Sequence, residues 1–90
     1  MKKTIEIEYV GIEDVWQILE YSRAVMSRRH YVNFSINNAE GIQLVCVKIM
    51  LDGFIDGGNY DYSYMFYITD KENDVTVMNK CKSTLRNLLV

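Results

Sequence analysis

Basic side chains gather where the first predicted helix ends, with Arg28 and Arg29 followed directly by His30. Guanidinium groups bind phosphate and carboxylate through paired hydrogen bonds, so the two arginines could hold a phosphate or an acidic partner. Positive charge is also favoured in the last turn of any helix, where it complements the helix dipole. His30 is the only histidine, and the predicted strands bring no Ser or Cys beside it. A nucleophile–histidine pair is therefore not predicted.

Acidic and amide side chains gather in a second segment, at Asp52, Asp56, Asn59 and Asp61. Their spacing does not match a calcium loop of the EF-hand kind. Asp and Asn are common in turns because their side chains bond to the nearby backbone. We therefore predict no metal site and no cofactor. No Gly-rich phosphate loop or catalytic motif stands out, and an enzyme is not expected.

The composition describes a small, ordered, nearly neutral chain. Ninety residues with 49% hydrophobic content predict a single α+β domain over residues 1–90. The net charge of −2 makes a nucleic-acid partner unexpected, because nucleic-acid binders usually carry a basic excess. No apolar run is long enough for a membrane span, and no signal peptide is visible, so a cytoplasmic location is expected.

The elements are read from hydrophobic spacing. Alternation predicts strands at residues 4–10, 30–37, 42–51 and 60–68, the last of which is rich in tyrosine. An apolar stripe predicts a helix over residues 12–29. The tail has two readings. Residues 75–78 form a fifth strand before a helix with Asn79 as its N-cap, or the helix begins near Val75.

Turn chemistry then sets the register of the sheet. A four-residue turn at residues 38–41, with Gly41 at a positive φ, places Phe34 opposite Val45. A two-residue turn at Gly57-Gly58 places Leu51 opposite Tyr64. Both turns send one face of the third strand to the core, and the same alternation places three aromatic residues under the helices: Tyr62, Tyr64 and Phe66.

Together these elements predict a four- or five-stranded, mostly antiparallel sheet in the order β-α-β-β-β-(β)-α, with two helices packed on one face. The first two strands, joined by a helix, should run parallel. The helix–strand–strand–strand–helix order resembles that of double-stranded-RNA-binding domains in topology alone. The chain lacks the basic cluster that opens the last helix in that family.

The opposite face of the predicted sheet is too apolar for a surface that meets only water. Met and Tyr are common at protein interfaces, so this face is a candidate contact surface unless a loop or helix of the chain covers it. It also carries Cys46, whereas Cys81 lies on the core side of the last helix, so the two thiols should be free. With the hairpin tip, the candidate partner-binding residues are Leu44, Met50, Phe54, Ile55, Met65 and Tyr67.

Two functions follow as expectations. The first is a small non-enzymatic protein-binding inhibitor or regulator, of the anti-defence or immunity kind carried by phages and mobile elements, which self-associates as a homodimer. The alternative is a small-ligand protein, for instance one that sequesters a nucleotide between subunits. In that case Arg28 and Arg29 would hold the phosphates, and an aromatic side chain would stack on the base.

Overall fold

The computed structural model of the chain describes residues 11–68 and 72–90, with Ala39 and Glu72 described by their backbone only. The elements run in the order α1 (Ile12–Met26), β1 (Tyr31–Ala39), β2 (Ile42–Met50), β3 (Tyr62–Tyr67) and α2 (Glu72–Leu88). The predicted α+β class is confirmed. The strand predicted at residues 4–10, and its parallel pairing, lie outside the described residues.

The three strands form one antiparallel sheet with β2 in the centre. Phe34 pairs with Val47, which in turn pairs with Tyr64. The predicted partners, Val45 for Phe34 and Leu51 for Tyr64, are therefore wrong by two and four residues. Both displacements are even, and side chains alternate with a period of two, so every residue keeps its predicted face.

The turn between β1 and β2 is shorter than predicted. Only Glu40 and Gly41 lie outside the strands, with φ angles of 56° and 87°. Two positive φ values are typical of the type I′ turn, whose twist suits a tight hairpin. Asn38 Oδ1 accepts a hydrogen bond of 2.8 Å from the Gly41 N–H and holds the turn closed. Gly41 thus has the predicted positive φ, but the four-residue turn is wrong.

The connection between β2 and β3 is a loop of residues 51–61, and the hairpin turn predicted at Gly57-Gly58 is wrong. Asp61 closes the base of this 51–61 loop in two ways. Its N–H donates to the Ile49 carbonyl at 2.8 Å, and its carboxylate accepts from the Leu51 N–H at 2.7 Å. Gly57, at a φ of 74°, makes only a local turn inside the loop. The ladder therefore starts at Tyr62, because the loop residues fold back over the sheet and do not extend it.

Both helices pack on the same face of the sheet, as predicted. The apolar side of each helix joins the inward side chains of the strands in one cluster: Val15, Ile18, Val25, Val32, Val45, Val47, Ile49, Phe66, Val75, Met78, Cys81 and Leu85.

The last helix begins earlier than predicted. It starts at Glu72, so the fifth strand at residues 75–78 and the N-cap at Asn79 are wrong. Val75 and Met78 are buried at helical spacing ahead of Cys81. Burial against the sheet therefore outweighs the β-branched composition of this stretch. The alternative reading, a helix from near Val75, is the closer one.

An ion pair joins the two helices. Lys82 Nζ lies 2.7 Å from Asp14 Oδ1, and Asp14 Oδ2 accepts a hydrogen bond from the Gly11 N–H where α1 begins. At its other end α1 stops at Met26, three residues before the predicted end. Arg28 and Arg29 therefore lie in the turn that leads to β1, with Arg29 at a φ of 78°.

The tyrosine-rich strand enters the core only in part. Phe66 is buried, and the half-buried Tyr64 shares a hydrogen bond of 2.5 Å with Thr84 of α2. Tyr62 stacks on Tyr64 with ring centroids 6.4 Å apart, but it is 39% exposed. The prediction that all three residues line the core is therefore wrong for Tyr62.

Candidate interaction surface

The face of the sheet opposite the helices is named here the second face. Its residues follow from the register, because each of them pairs with another member of the set, except Ile42, which pairs with Ala39 at the end of the same alternating row of β2. They come from all three strands: Tyr31, Asn33, Ser35, Asn37, Ile42, Leu44, Cys46, Lys48, Met50, Ser63, Met65 and Tyr67. None of them belongs to the core cluster.

The second face is open to solvent at its β3 edge and near the β1–β2 turn, and it is largely uncharged. Met65 is 55% exposed at the edge strand, and Ile42 is exposed near the β1–β2 turn. Leu44, Cys46 and Tyr67 are half-buried. Lys48 is the single charged residue among the second-face positions defined above. Exposed apolar groups that adjoin one another on a sheet are uncommon on monomeric proteins and indicate a contact surface.

One end of the second face is covered by the chain itself. Met50 is only 4% exposed because the 51–61 loop lies against it, with the Ile55 N–H 3.3 Å from the Met50 sulfur. The Phe54 ring packs on the Tyr31 ring with centroids 5.0 Å apart. The prediction of Met50 as a partner-binding residue is therefore wrong, since its side chain is already occupied inside the fold.

The tip of the 51–61 loop is exposed, although the loop does not project from the sheet. Phe54 is 61% exposed and Ile55 is 56% exposed. Tyr60 is also exposed, and the Lys48 ammonium lies 5.3 Å from the centre of its ring. The loop tip therefore adjoins the second face. The predictions for Leu44, Phe54, Ile55, Met65 and Tyr67 stay predictions, now placed on one side of the molecule.

Sequence reasoning missed Ile42 and Tyr60 as members of this surface. Ile42 shares the alternation of Leu44, so the register alone could have included it. Tyr60 could not be found in this way, because its position depends on how the 51–61 loop folds back toward Lys48. No periodic pattern in the sequence predicts that conformation of the loop.

The two arginines lie beside the base of the loop. Arg28 and Arg29 are exposed, and neither forms an ion pair with a described residue. Next to them, His30 Nδ1 donates to the Leu51 carbonyl at 2.6 Å. The predicted start of the strand at residue 30 is therefore wrong, because β1 begins at Tyr31, and His30 instead links the turn to the loop.

A cavity of about 420 Å³ lies along α1 and is lined by Glu13, Asp14, Trp16, Gln17 and Glu20. Partial burial alone would raise the pKa of Asp14, but the hydrogen bonds from Lys82 and Gly11 and the charge of Lys82 lower it below its ordinary value. The cavity is therefore acidic and unfavourable for phosphate. Trp16 also lies about 15 Å along the helix from its arginine end, so it cannot stack on a base held there.

The described ranges, residues 11–68 and 72–90, contain no cluster of side chains suited to a metal ion. No three His, Cys, Asp or Glu side chains in those ranges could share a metal ion. Both cysteines are free, as predicted, and burial raises the pKa of the Cys81 thiol to about 12. Neither of the two described helices combines the length and apolar character that a membrane-crossing helix needs.

Comparisons of this chain with protein-family models, curated proteins and solved structures gave no match.

Proposed function

We propose that this chain is a small non-enzymatic protein-binding inhibitor or regulator that acts by covering part of a larger protein. It is of the anti-defence or immunity kind found in phages and mobile elements. The observation that carries the proposal is the exposure of apolar side chains on both the second face and the tip of the 51–61 loop, which adjoin one another. The residues proposed to contact partners are Leu44, Phe54, Ile55, Met65 and Tyr67.

The loop tip suits the role of an anchor. The Phe54 ring packs on the Tyr31 ring, and the Ile55 N–H donates a hydrogen bond to the Met50 sulfur. Both residues therefore lose little conformational freedom when a partner covers them. Burying the part of each side chain that is still exposed stabilises a complex by about 1–2 kcal/mol. A few anchors of this kind commonly supply most of the binding energy of an interface.

A matched pair of variants tests the loop tip. Ile55 and Ile12 are both 56% exposed, but Ile12 begins α1 on another part of the molecule. We expect Ile55→Asp to abolish stoichiometric capture of a host protein on the immobilised chain, and Ile12→Asp to leave it unchanged. Circular dichroism of both variants checks that the fold is kept.

Two outcomes would contradict the proposal. One is the failure of the wild-type chain to capture any protein in a stoichiometric amount. The other is equal capture by wild type, Ile55→Asp and Met65→Asp, which would show that neither the loop tip nor the second face makes the contact.

The alternative proposal is nucleotide binding at Arg28 and Arg29. It is supported by the exposure of both side chains and by the lack of an ion pair with any described residue. It is weakened because Trp16 is distant and Tyr31 already packs on Phe54. A thermal-shift panel of nucleotides would show a rise in melting temperature that Arg28→Ala/Arg29→Ala abolishes. A panel in which no nucleotide raises the melting temperature would exclude this alternative.

A further inference from the structure

The second face has a centre that the register defines. β2 is the central strand, and Cys46 is the third of its five second-face residues. Ser35 on β1 and Met65 on β3 pair with Cys46. These three residues form a row that crosses the sheet at its middle, named here the Cys46 row.

The two halves of the face on either side of this row differ in chemistry. On the side near the 51–61 loop, Lys48 pairs with Asn33 and Ser63, so this half is polar and carries one positive charge. On the other side, Leu44 pairs with Tyr67, and the exposed Ile42 follows near the turn. One half therefore offers a cation, and the other offers an aromatic ring and aliphatic groups.

We propose that a second copy of this chain covers the second face, with the two sheets face to face and a two-fold axis along the Cys46 row. The inference rests on the proposed function and divides its contact surface: the second copy covers the second face, and the tip of the 51–61 loop is left for the larger protein. The rotation places Lys48 over Leu44 and Tyr67 of the second copy. It also places Ile42 near the 51–61 loop of the second copy, so the two loops flank the interface at opposite ends.

Charge selects this axis over the other two-fold axis that lies between the sheets. Rotation about an axis parallel to β2 would place Lys48 over the same lysine of the second copy, and two like charges would repel each other in a partly dry interface. Rotation about the Cys46 row separates the two lysines and gives each a partner's aromatic ring. Lys48 already lies 5.3 Å from the Tyr60 ring, so its ammonium would stay beside aromatic faces.

The size of the face fits a second copy that binds reversibly. Three strands spaced by about 4.8 Å, with a rise of about 3.4 Å per residue, make a patch about 14 Å wide and about 30 Å long. Two such patches bury roughly 840 Å² in total, which is below the standard size of stable interfaces and in the range of weak, transient contacts. We therefore expect a dimer that dissociates in the micromolar range.

Cross-linking through the native cysteine tests whether the two second faces meet at Cys46, and the variants described below test the direction of the axis. A short bifunctional thiol reagent, added at about 100 µM protein, should link Cys46 of one copy to Cys46 of the other. Across two packed sheets, backbones lie about 10 Å apart, so facing thiols come within the reach of such a reagent. The buried Cys81 thiol should stay unlinked. Peptide mapping identifies the linked residue.

Two variants provide the matched control. Cys46→Ser/Met65→Cys places the thiol elsewhere on the Cys46 row and should link. Cys46→Ser/Ser63→Cys places the thiol on β3 as well, but two residues away from position 65. The thiols of the two copies are then separated by about 14 Å along the sheet, and this variant should not link. Met65→Asp should weaken the dimer at least about tenfold.

Several results would overturn the inference. Dimers linked through Met65→Cys but not through Cys46 would indicate that the β3 edges pair instead. Equal linking at the Ser63→Cys position would exclude this axis, and a monomer at all concentrations would exclude the dimer. These results leave the proposed function standing, because that proposal fails only in the capture experiment with Ile55→Asp, Met65→Asp and the control Ile12→Asp.

Discussion

At the scale of single residues, the two cysteines show what alternation can predict. Cys46 follows the period of two along β2 and points to the second face, while Cys81 follows helical spacing into the core. Their separation by the sheet was predictable because each depends only on the period of its own element. The covering of Met50 was not predictable, since it depends on contacts from residues that follow it in an irregular loop.

The same two thiols make a prediction about reactivity. At pH 8, iodoacetamide should modify Cys46 at least about a hundred times faster than Cys81 in the folded protein, because the reactive form is an accessible thiolate. Burial raises the pKa of Cys81 to about 12, so almost none of it is ionised at pH 8. Mass spectrometry of timed samples measures both rates, and unfolding in guanidinium should make them similar. Equal rates in the folded protein would contradict the burial of Cys81.

At the scale of elements, the faces of the strands were predictable and the connections were not. Val45, Val47 and Ile49 reach the core as predicted even though both registers are displaced, because even displacements preserve the face. Gly57-Gly58 offers a good local turn, but Asp61 closes the connection further along the chain through two hydrogen bonds. The path of such a connection is decided by tertiary contacts, which no local pattern contains.

The ion pair between α1 and α2 makes a prediction about pH. The folded-state pKa of Asp14 is lowered, so its carboxylate stabilises the fold above its unfolded pKa of about 3.9. That contribution is lost as the pH falls from there through the lower folded value. We expect Asp14→Asn to lower the free energy of unfolding at pH 7 by about 1 kcal/mol or less, since the pair is partly solvated.

Urea unfolding of both proteins between pH 7 and pH 2 measures this difference. It should be constant from pH 7 to about 5 and should shrink toward zero at the acid end. Lys82→Met is the matched change on the other helix and should remove most of the pH-dependent part. A difference that persists unchanged at pH 2 would show that the effect of Asp14→Asn does not come from the carboxylate charge.

At the scale of the whole molecule, the fold places its helices on one side and leaves a weakly charged sheet face on the other. That division could be predicted from the sequence, because each strand carries two chemically different faces. The extent of the contact surface could not be predicted from the sequence, because the 51–61 loop covers Met50 and brings Tyr60 next to the surface. Our account therefore centres on the part of the face that the loop leaves open, around Cys46 and Met65.

Sedimentation equilibrium of the wild-type chain and Met65→Asp over a wide concentration range tests that account most directly, with Ile12→Asp as the matched control. Met65 is 55% exposed and Ile12 is 56% exposed, so the two substitutions place a charge at equally accessible positions. We predict a reversible dimer for wild type and Ile12→Asp, and a shift to monomer for Met65→Asp. Monomeric wild-type protein at all concentrations, or a dimer that Met65→Asp does not weaken, would contradict the account.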